Sequence, residues 1–173
     1  MKKIIVALMC ALMLVSLVGC SNAGAPEGMQ NAASENEAFY LFVPKAWTPN
    51  TSSGIASAYY TANVDKSNVS VTCTLPGEGF LSVDQYVSYT TESLSKMLGD
   101  FAVVSDPAEA TLGGAAALSF DYTATVNGVS YKYRQIVCAY KDIFYVFTYT
   151  STAELFDSHL EDVNTILSHF TFK

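Results

Sequence analysis

"AAALSFDYTATVNGVSYKYRQIVCAYKDIFYVFTYTST", Ala115 to Thr152, decides the fold. Three runs of alternating character are separated by two short turns. Asn127-Gly128 is the strongest two-residue hairpin signal, because both residues tolerate positive φ. Lys141-Asp142 marks a second turn of even length. Two such loops fix the register of three antiparallel strands. Phe120 then faces Gln135, Leu118 faces Val137, and Asp121 lies opposite Arg134. Across the second turn Tyr149 sits beside Arg134, and Tyr145 beside Cys138.

Register also sorts the side chains, since successive residues point to opposite faces. Leu118, Phe120, Tyr122, Val137, Phe144 and Val146 share one face, which must be covered. Asp121, Lys132, Arg134, Ile136, Cys138, Tyr145, Phe147 and Tyr149 share the other, a mixed face expected to be covered near the second turn and open further along.

Working toward the C-terminus, Ser151 with Glu154 reads as a capping box. Leu155, Phe156, His159, Leu160, Val163, Ile166, Leu167 and Phe170 form an apolar stripe at helical spacing. Toward the N-terminus, "SNVSVTCTL" alternates with a period of two and places Val69, Val71, Cys73 and Leu75 on its apolar side. "PGEG" then breaks the chain. Ser82 with Gln85 opens a helix whose inward stripe is Val83, Tyr86, Val87, Thr90, Leu94, Met97 and Leu98, with Gly99 as its left-handed stop. "FAVV", a turn at Asp106-Pro107 and a weak strand to Leu112 lead into the decisive stretch. "FYLFVPKAW" is a strand ended by Pro44, followed by Trp47 in a turn at the core's edge, and "SGIASAYYTA" is a further strand. The fold class is therefore α+β, an antiparallel β-sheet of about six or seven strands flanked by two amphipathic helices.

Several of these features resemble the PsbP-like superfamily: the "VPKAW" opening, the helix after the third strand, "LGGAAALSFDY", and "YVFTYTSTAELFDSHLEDVNTILSHFTF". The resemblance spans Phe39 to Phe172. It implies an α/β/α sandwich. The superfamily includes an extrinsic photosystem II subunit, a eukaryotic Ran-binding relative and many small bacterial lipoproteins. Its members act mainly by binding other proteins, so the resemblance brings no catalytic signature.

The N-terminus supplies an address. Lys2 and Lys3 precede an apolar run from Ile4 to Val18, too short for a spanning helix of about 20 residues and suited to a signal peptide. Leu17-Val18-Gly19-Cys20 resembles the lipobox of bacterial lipoproteins, which implies that Cys20 receives a diacylglycerol and becomes the mature N-terminus. Acyl chains contributing about 0.8 kcal/mol per buried methylene would hold the protein at the membrane. Residues 1–19 are thus the signal peptide, and 20–37 the lipidated cysteine with a polar, flexible tether reaching roughly 20–25 Å. Residues 38–173 form the globular domain. The expected location is the extracytoplasmic face of the cell membrane.

Composition narrows the partners. The formal charge is −7, and −9 once Lys2 and Lys3 leave with the leader. Such a chain is repelled by phosphate backbones, so nucleic acid is not an expected partner. Cys73 and Cys138 lie outside any C-x-x-C spacing; the leading reading is buried free thiols, ahead of a disulfide, if they prove adjacent, and of reactive chemistry. His159 and His169 do not share a helix face, so no metal site is read there, and His159 has Asp162 nearby as a local partner. No hydrolase elbow, zincin, P-loop or EF-hand motif occurs, and neither enzymatic activity nor a cofactor is expected.

One polar constellation remains. Asp121, Arg134 and Tyr149 form a cross-strand ion pair with a tyrosine against the guanidinium, contributing about 0.2–1 kcal/mol. Alternatively, Asp121, Lys132, Arg134, Tyr145 and Tyr149 line a groove for a partner or an acidic or carbohydrate ligand. The leading expectation is a non-enzymatic, lipid-anchored module that binds another envelope protein. The second is small-ligand or glycan capture.

Overall fold

A computed structural model of the protein describes residues 24–50, 56–60, 65–75 and 82–173. The expected signal peptide, Cys20 and the "PGEG" break lie outside the described residues. The strands are β1 (Met29–Asn31), β2 (Phe39–Tyr40), β3 (Phe42–Pro44), β4 (Trp47–Pro49), β5 (Ala56–Tyr60) and β6 (Asn68–Thr74). After helix α1 (Val83–Met97) come β7 (Gly99–Val103), β8 (Ala108–Leu112), β9 (Ala115–Val126), β10 (Val129–Tyr140) and β11 (Ile143–Thr152). A 3₁₀ turn (Phe156–His159), helix α2 (Leu160–His169) and β12 (Thr171–Phe172) complete the chain.

The main sheet has eight strands rather than six or seven, in the order β4-β5-β6-β11-β10-β9-β7, with β8 also paired to β9. Its pairings are antiparallel throughout. The β9–β10–β11 register is the expected one: Asp121 pairs with Arg134, Leu118 with Val137, Arg134 with Tyr149 and Cys138 with Tyr145. Asn127 and Gly128 both have positive φ (51° and 78°), as do Lys141 and Asp142 (49° and 60°), so each turn is built by two left-handed residues.

Two separate cores flank the sheet. Against one face lie α2, the 3₁₀ turn and the N-terminal strands, burying Phe39, Leu41, Trp47, Phe147, Phe156, Val163 and Ile166 among others. Against the other lies α1, where Val87 meets Phe120, Tyr122, Val137 and Val146. Ser82 caps α1 as expected, its Oγ accepting from the Gln85 N–H at 3.2 Å. The left-handed residue after this helix is Asp100 (φ 49°), whereas Gly99 already belongs to β7.

Several expectations give way to tertiary packing. Trp47 is not in an edge turn: it opens β4, is fully buried, and its Nε1–H donates to Asp162 Oδ2 at 2.8 Å. Ser151 does not cap a helix; it stays in β11, buried, where Ser67 Oγ donates to its Oγ at 2.7 Å. Met97 is 78% exposed, and the burial on β6 stops at Val71, leaving Cys73 and Leu75 exposed. Part of the expected tether is folded: Met29–Asn31 pairs with β3, and Ala32 and Ala33 are buried against the core. The apolar side chains of Met29, Ala32 and Ala33, few but in contact with the core, offset the ordering cost there.

The two thiols are free. Cys73 and Cys138 are paired to Tyr145 from opposite sides, on β6 and β10. Two strand spacings separate them, about 10 Å, beyond disulfide reach. Burial pushes the Cys138 thiol up to about 11.

The "GG" entering β9 has a steric reason. A Cβ on Gly113, which has φ +58°, would lie 2.8 Å from Cδ2 of Phe172. Phe172 in turn stacks on Tyr140 with ring centroids 4.0 Å apart. No helix among the described residues is long and apolar enough to cross a membrane.

Candidate functional site

The expected polar constellation forms, but as a closed cluster. Arg134 Nε donates to Asp121 Oδ1 at 2.8 Å and Arg134 Nη2 to Oδ2 at 3.0 Å, a bidentate pair directly across β9 and β10. Hydrogen bonding to Asp121 raises the guanidinium pKa further above its already high value, against the opposing effect of burial. Lys132 Nζ lies 4.0 Å from Asp121 Oδ2 and 3.8 Å from Asp157 Oδ1, and 4.3 Å from the centre of the Phe156 ring. Two cations therefore face two carboxylates over an aromatic ring. An incoming anion would have to displace carboxylates already in place, so the cluster's main effect is to fasten the 3₁₀ turn to the sheet.

The tyrosines expected to line a groove do not open to solvent. Tyr149 is fully buried, and its hydroxyl donates to the Phe156 carbonyl at 2.8 Å. Tyr145 lies four residues along the strand, about 13 Å away, packed between Phe39 and Phe172. The structure thus gathers Asp121, Lys132 and Arg134, puts Tyr149 beneath the turn they hold, and sends Tyr145 to the far end of the core. Alternation tells which face a residue is on but not how far the packing elements reach over it: Tyr145 and Tyr149 lie beneath them, while Lys132 and Arg134 stay partly exposed.

A second buried polar network was not expected. His159 Nε2 is 2.5 Å from Asp65 Oδ2, instead of pairing with Asp162. Its ring lies 4.2 Å from that of Tyr60 and 5.8 Å from that of Trp47. Asp65 also accepts from the Ser67 N–H at 2.8 Å. Burial alone would raise the Asp65 pKa, but hydrogen bonds from Ser67 and His159 together bring it below its ordinary value. The network ties the start of α2 to the loop before β6. His169 is exposed, with Nδ1 near the Thr165 carbonyl.

Among the described residues, an open cleft lies on the other side of the sheet. The cleft, of about 450 Å³, runs between α1 and the β7–β8 connection. Val87 and Phe120 form its floor, Ser88, Thr91, Glu92 and Ser95 one wall, and Val103, Asp106 and Pro107 the other. Its volume falls in the range of ligand-sized pockets, but it is wide open rather than enclosing. Apart from Glu92, the helical wall consists of short hydroxyl side chains. Thr91 Oγ1 donates to the Val87 carbonyl at 2.8 Å and Ser95 Oγ to the Glu92 carbonyl at 2.7 Å. Those bonds turn the hydroxyls back onto the helix. Two carboxylates, Glu92 and Asp106, share the lining with these hydroxyls, and Glu92 is paired with Lys96 at 2.6 Å. Its sequence signal was the small-residue series Ser88, Thr91 and Ser95, three and four residues apart and hence on one helix face. Beside a bulky stripe, such a series leaves space rather than contact.

No family model matches the chain, and no curated protein is similar to it in sequence. Solved structures do share its fold. The cyanobacterial PsbP of Synechocystis matches with a TM-score of 0.61 at 15% identity, over 90% of this chain and 99% of that one. A protein of unknown function from Pseudomonas aeruginosa matches with a TM-score of 0.60 at 17% identity, over 82% of this chain and 94% of that one. LpqN, involved in cell envelope biogenesis of Mycobacterium tuberculosis, matches with a TM-score of 0.55 at 19% identity, over 78% and 83%. The fold is PsbP-like: an antiparallel sheet between two helices.

Proposed function

We propose that this chain is an extracytoplasmic lipoprotein, held at the cell membrane through Cys20, whose folded body binds another envelope protein and performs no chemistry of its own. The observation that carries the reading is the cleft beside α1. It is open, has an apolar floor, and two of its hydroxyls, on Thr91 and Ser95, are already bonded to the helix, which suits insertion of a partner's side chains better than turnover of a substrate. An envelope setting fits the leader and lipobox, and it fits the shared fold with LpqN, described as involved in cell envelope biogenesis. The polar tract preceding Met29 would serve as the tether.

The test places a photoreactive amino acid at Ser88 in the full-length protein on living cells, with Lys66 as control position. A discrete protein adduct from Ser88, absent from Lys66 and lost when Thr91→Arg fills the cleft, is the expected outcome. Identical adducts from both positions would reject the cleft as the binding site. For the anchor, Cys20→Ala should leave unprocessed precursor without lipid label; normal labelling would reject it.

A further inference from the structure

The sheet face under α1 is only partly covered. The helix lies over β7, β9 and β10. Toward β11, β6, β5 and β4, the register lines up two straight rows of side chains on that same face. One row is Thr48, Tyr59, Asn68, Thr150 and Tyr133. The next is Ser57, Ser70, Thr148 and Gln135. None of the nine is buried. The intervening residues of the same strands, Val69, Val71, Phe147 and Tyr149, are buried on the α2 side.

What distinguishes these rows is their neutrality. A surface built only for solubility carries charge at about a quarter to a third of its positions, which would be two or three of nine. Here none is charged, in a chain with 16 acidic and 9 basic residues. The rows offer hydroxyls and amides, groups that both donate and accept. Two aromatic rings belong to the longer row. Tyr59, next to its Thr48 end, is 44% exposed. Tyr133, at its other end, stacks on Tyr122 with centroids 4.6 Å apart and planes within 10°. In the shorter row, Gln135 Oε1 is buried without a hydrogen-bond partner, and Gln135 Nε2 reaches Thr148 Oγ1 only at 3.5 Å. The longer row crosses five strands, about 19 Å, enough for several linked sugar rings.

We infer that this face binds an uncharged polysaccharide chain. Sugar rings present alternating hydroxyls for the Thr, Ser, Asn and Gln positions, and C–H faces for the tyrosines. A charged partner would find no counter-charge on the rows and would lose its hydration for nothing. The site is separate from the cleft beside α1, on the far side of the helix, and the two can fail independently.

The test titrates the full-length protein with cellohexaose, chitohexaose and maltoheptaose by calorimetry. Saturable binding of at least one is expected. Tyr59→Ala and Thr150→Glu should each weaken it about tenfold, one good contact's worth. Thr150→Ser and the cleft variant Thr91→Arg should leave it unchanged. Should Thr150→Glu fail to fold, Tyr59→Ala decides. Vesicles displaying a digalactosyl lipid form a separate arm: binding to them without binding of free oligosaccharides would overturn the polysaccharide assignment. Absence of binding to all three sugars, or wild-type affinity in both face variants, would overturn the site itself.

Discussion

Helix α2, ten residues long, buries Val163 and Ile166 completely and is flanked by the buried Phe156 and Phe170. Helix α1, fifteen residues long, buries only Val87. The longer helix has the weaker hold because its flank carries Ser88, Thr91 and Ser95 where α2 carries aliphatic and aromatic side chains. Each large side chain buried under α2 contributes roughly 1.5–3 kcal/mol, so stability is concentrated on that side. The α1 side keeps space and uncovered sheet, which is where a partner would be met. The residues that build the larger core and those proposed to bind are separated by the thickness of one sheet.

That comparison predicts unequal damage. Trp47→Ala, on the α2 side, should cost about 3–5 kcal/mol in urea unfolding, through lost burial and the orphaned Asp162. A cost below 1 kcal/mol would mean the two cores share the load evenly. Next, reversing Arg134 to Asp should destabilise by about 1–3 kcal/mol, because the mostly buried Asp121 loses its bidentate partner. The double swap of Asp121 and Arg134 should recover part of this, and equal loss in single and double variants would break the pairing argument.

Acid should act on the α2 side as well. The folded pKa of Asp65 lies below its ordinary 3.8. Its contribution is therefore fully present above that unfolded value and is lost as pH falls through the folded one. Thermal melts from pH 6 to pH 3 should show Asp65→Asn losing part of the wild-type acid slope; parallel curves would remove Asp65 from the account. The smallest effect belongs to the α1 side. Thr91→Arg should change stability by no more than about 0.5 kcal/mol while blocking the cleft. A larger loss would mean that α1 grips the sheet more tightly than its burial indicates.

The central hairpins were readable from sequence because local chemistry dictates them. Asn127-Gly128 and Lys141-Asp142 set the turns, and alternation then placed Asp121 against Arg134 without further information. Ser151 misled because its local signal as a helix cap is outweighed by a buried hydroxyl pair with Ser67, 84 residues away in sequence. Met29–Asn31 was read as tether because a three-residue strand carries no period to detect. Cleft and polar rows share a different obstacle. Both are defined by where α1 stops covering the sheet, and no stretch of sequence states that limit.

The pairing of β12 with β2 has a practical consequence. The Lys173 N–H donates to the Ala38 carbonyl at 2.8 Å, and Lys173 Nζ to that of Glu35 at 2.9 Å. Lys173 therefore clamps the segment that leads from β1 into β2, so a tag fused after it would emerge beside Glu35 and Ala38 and would tug on that segment.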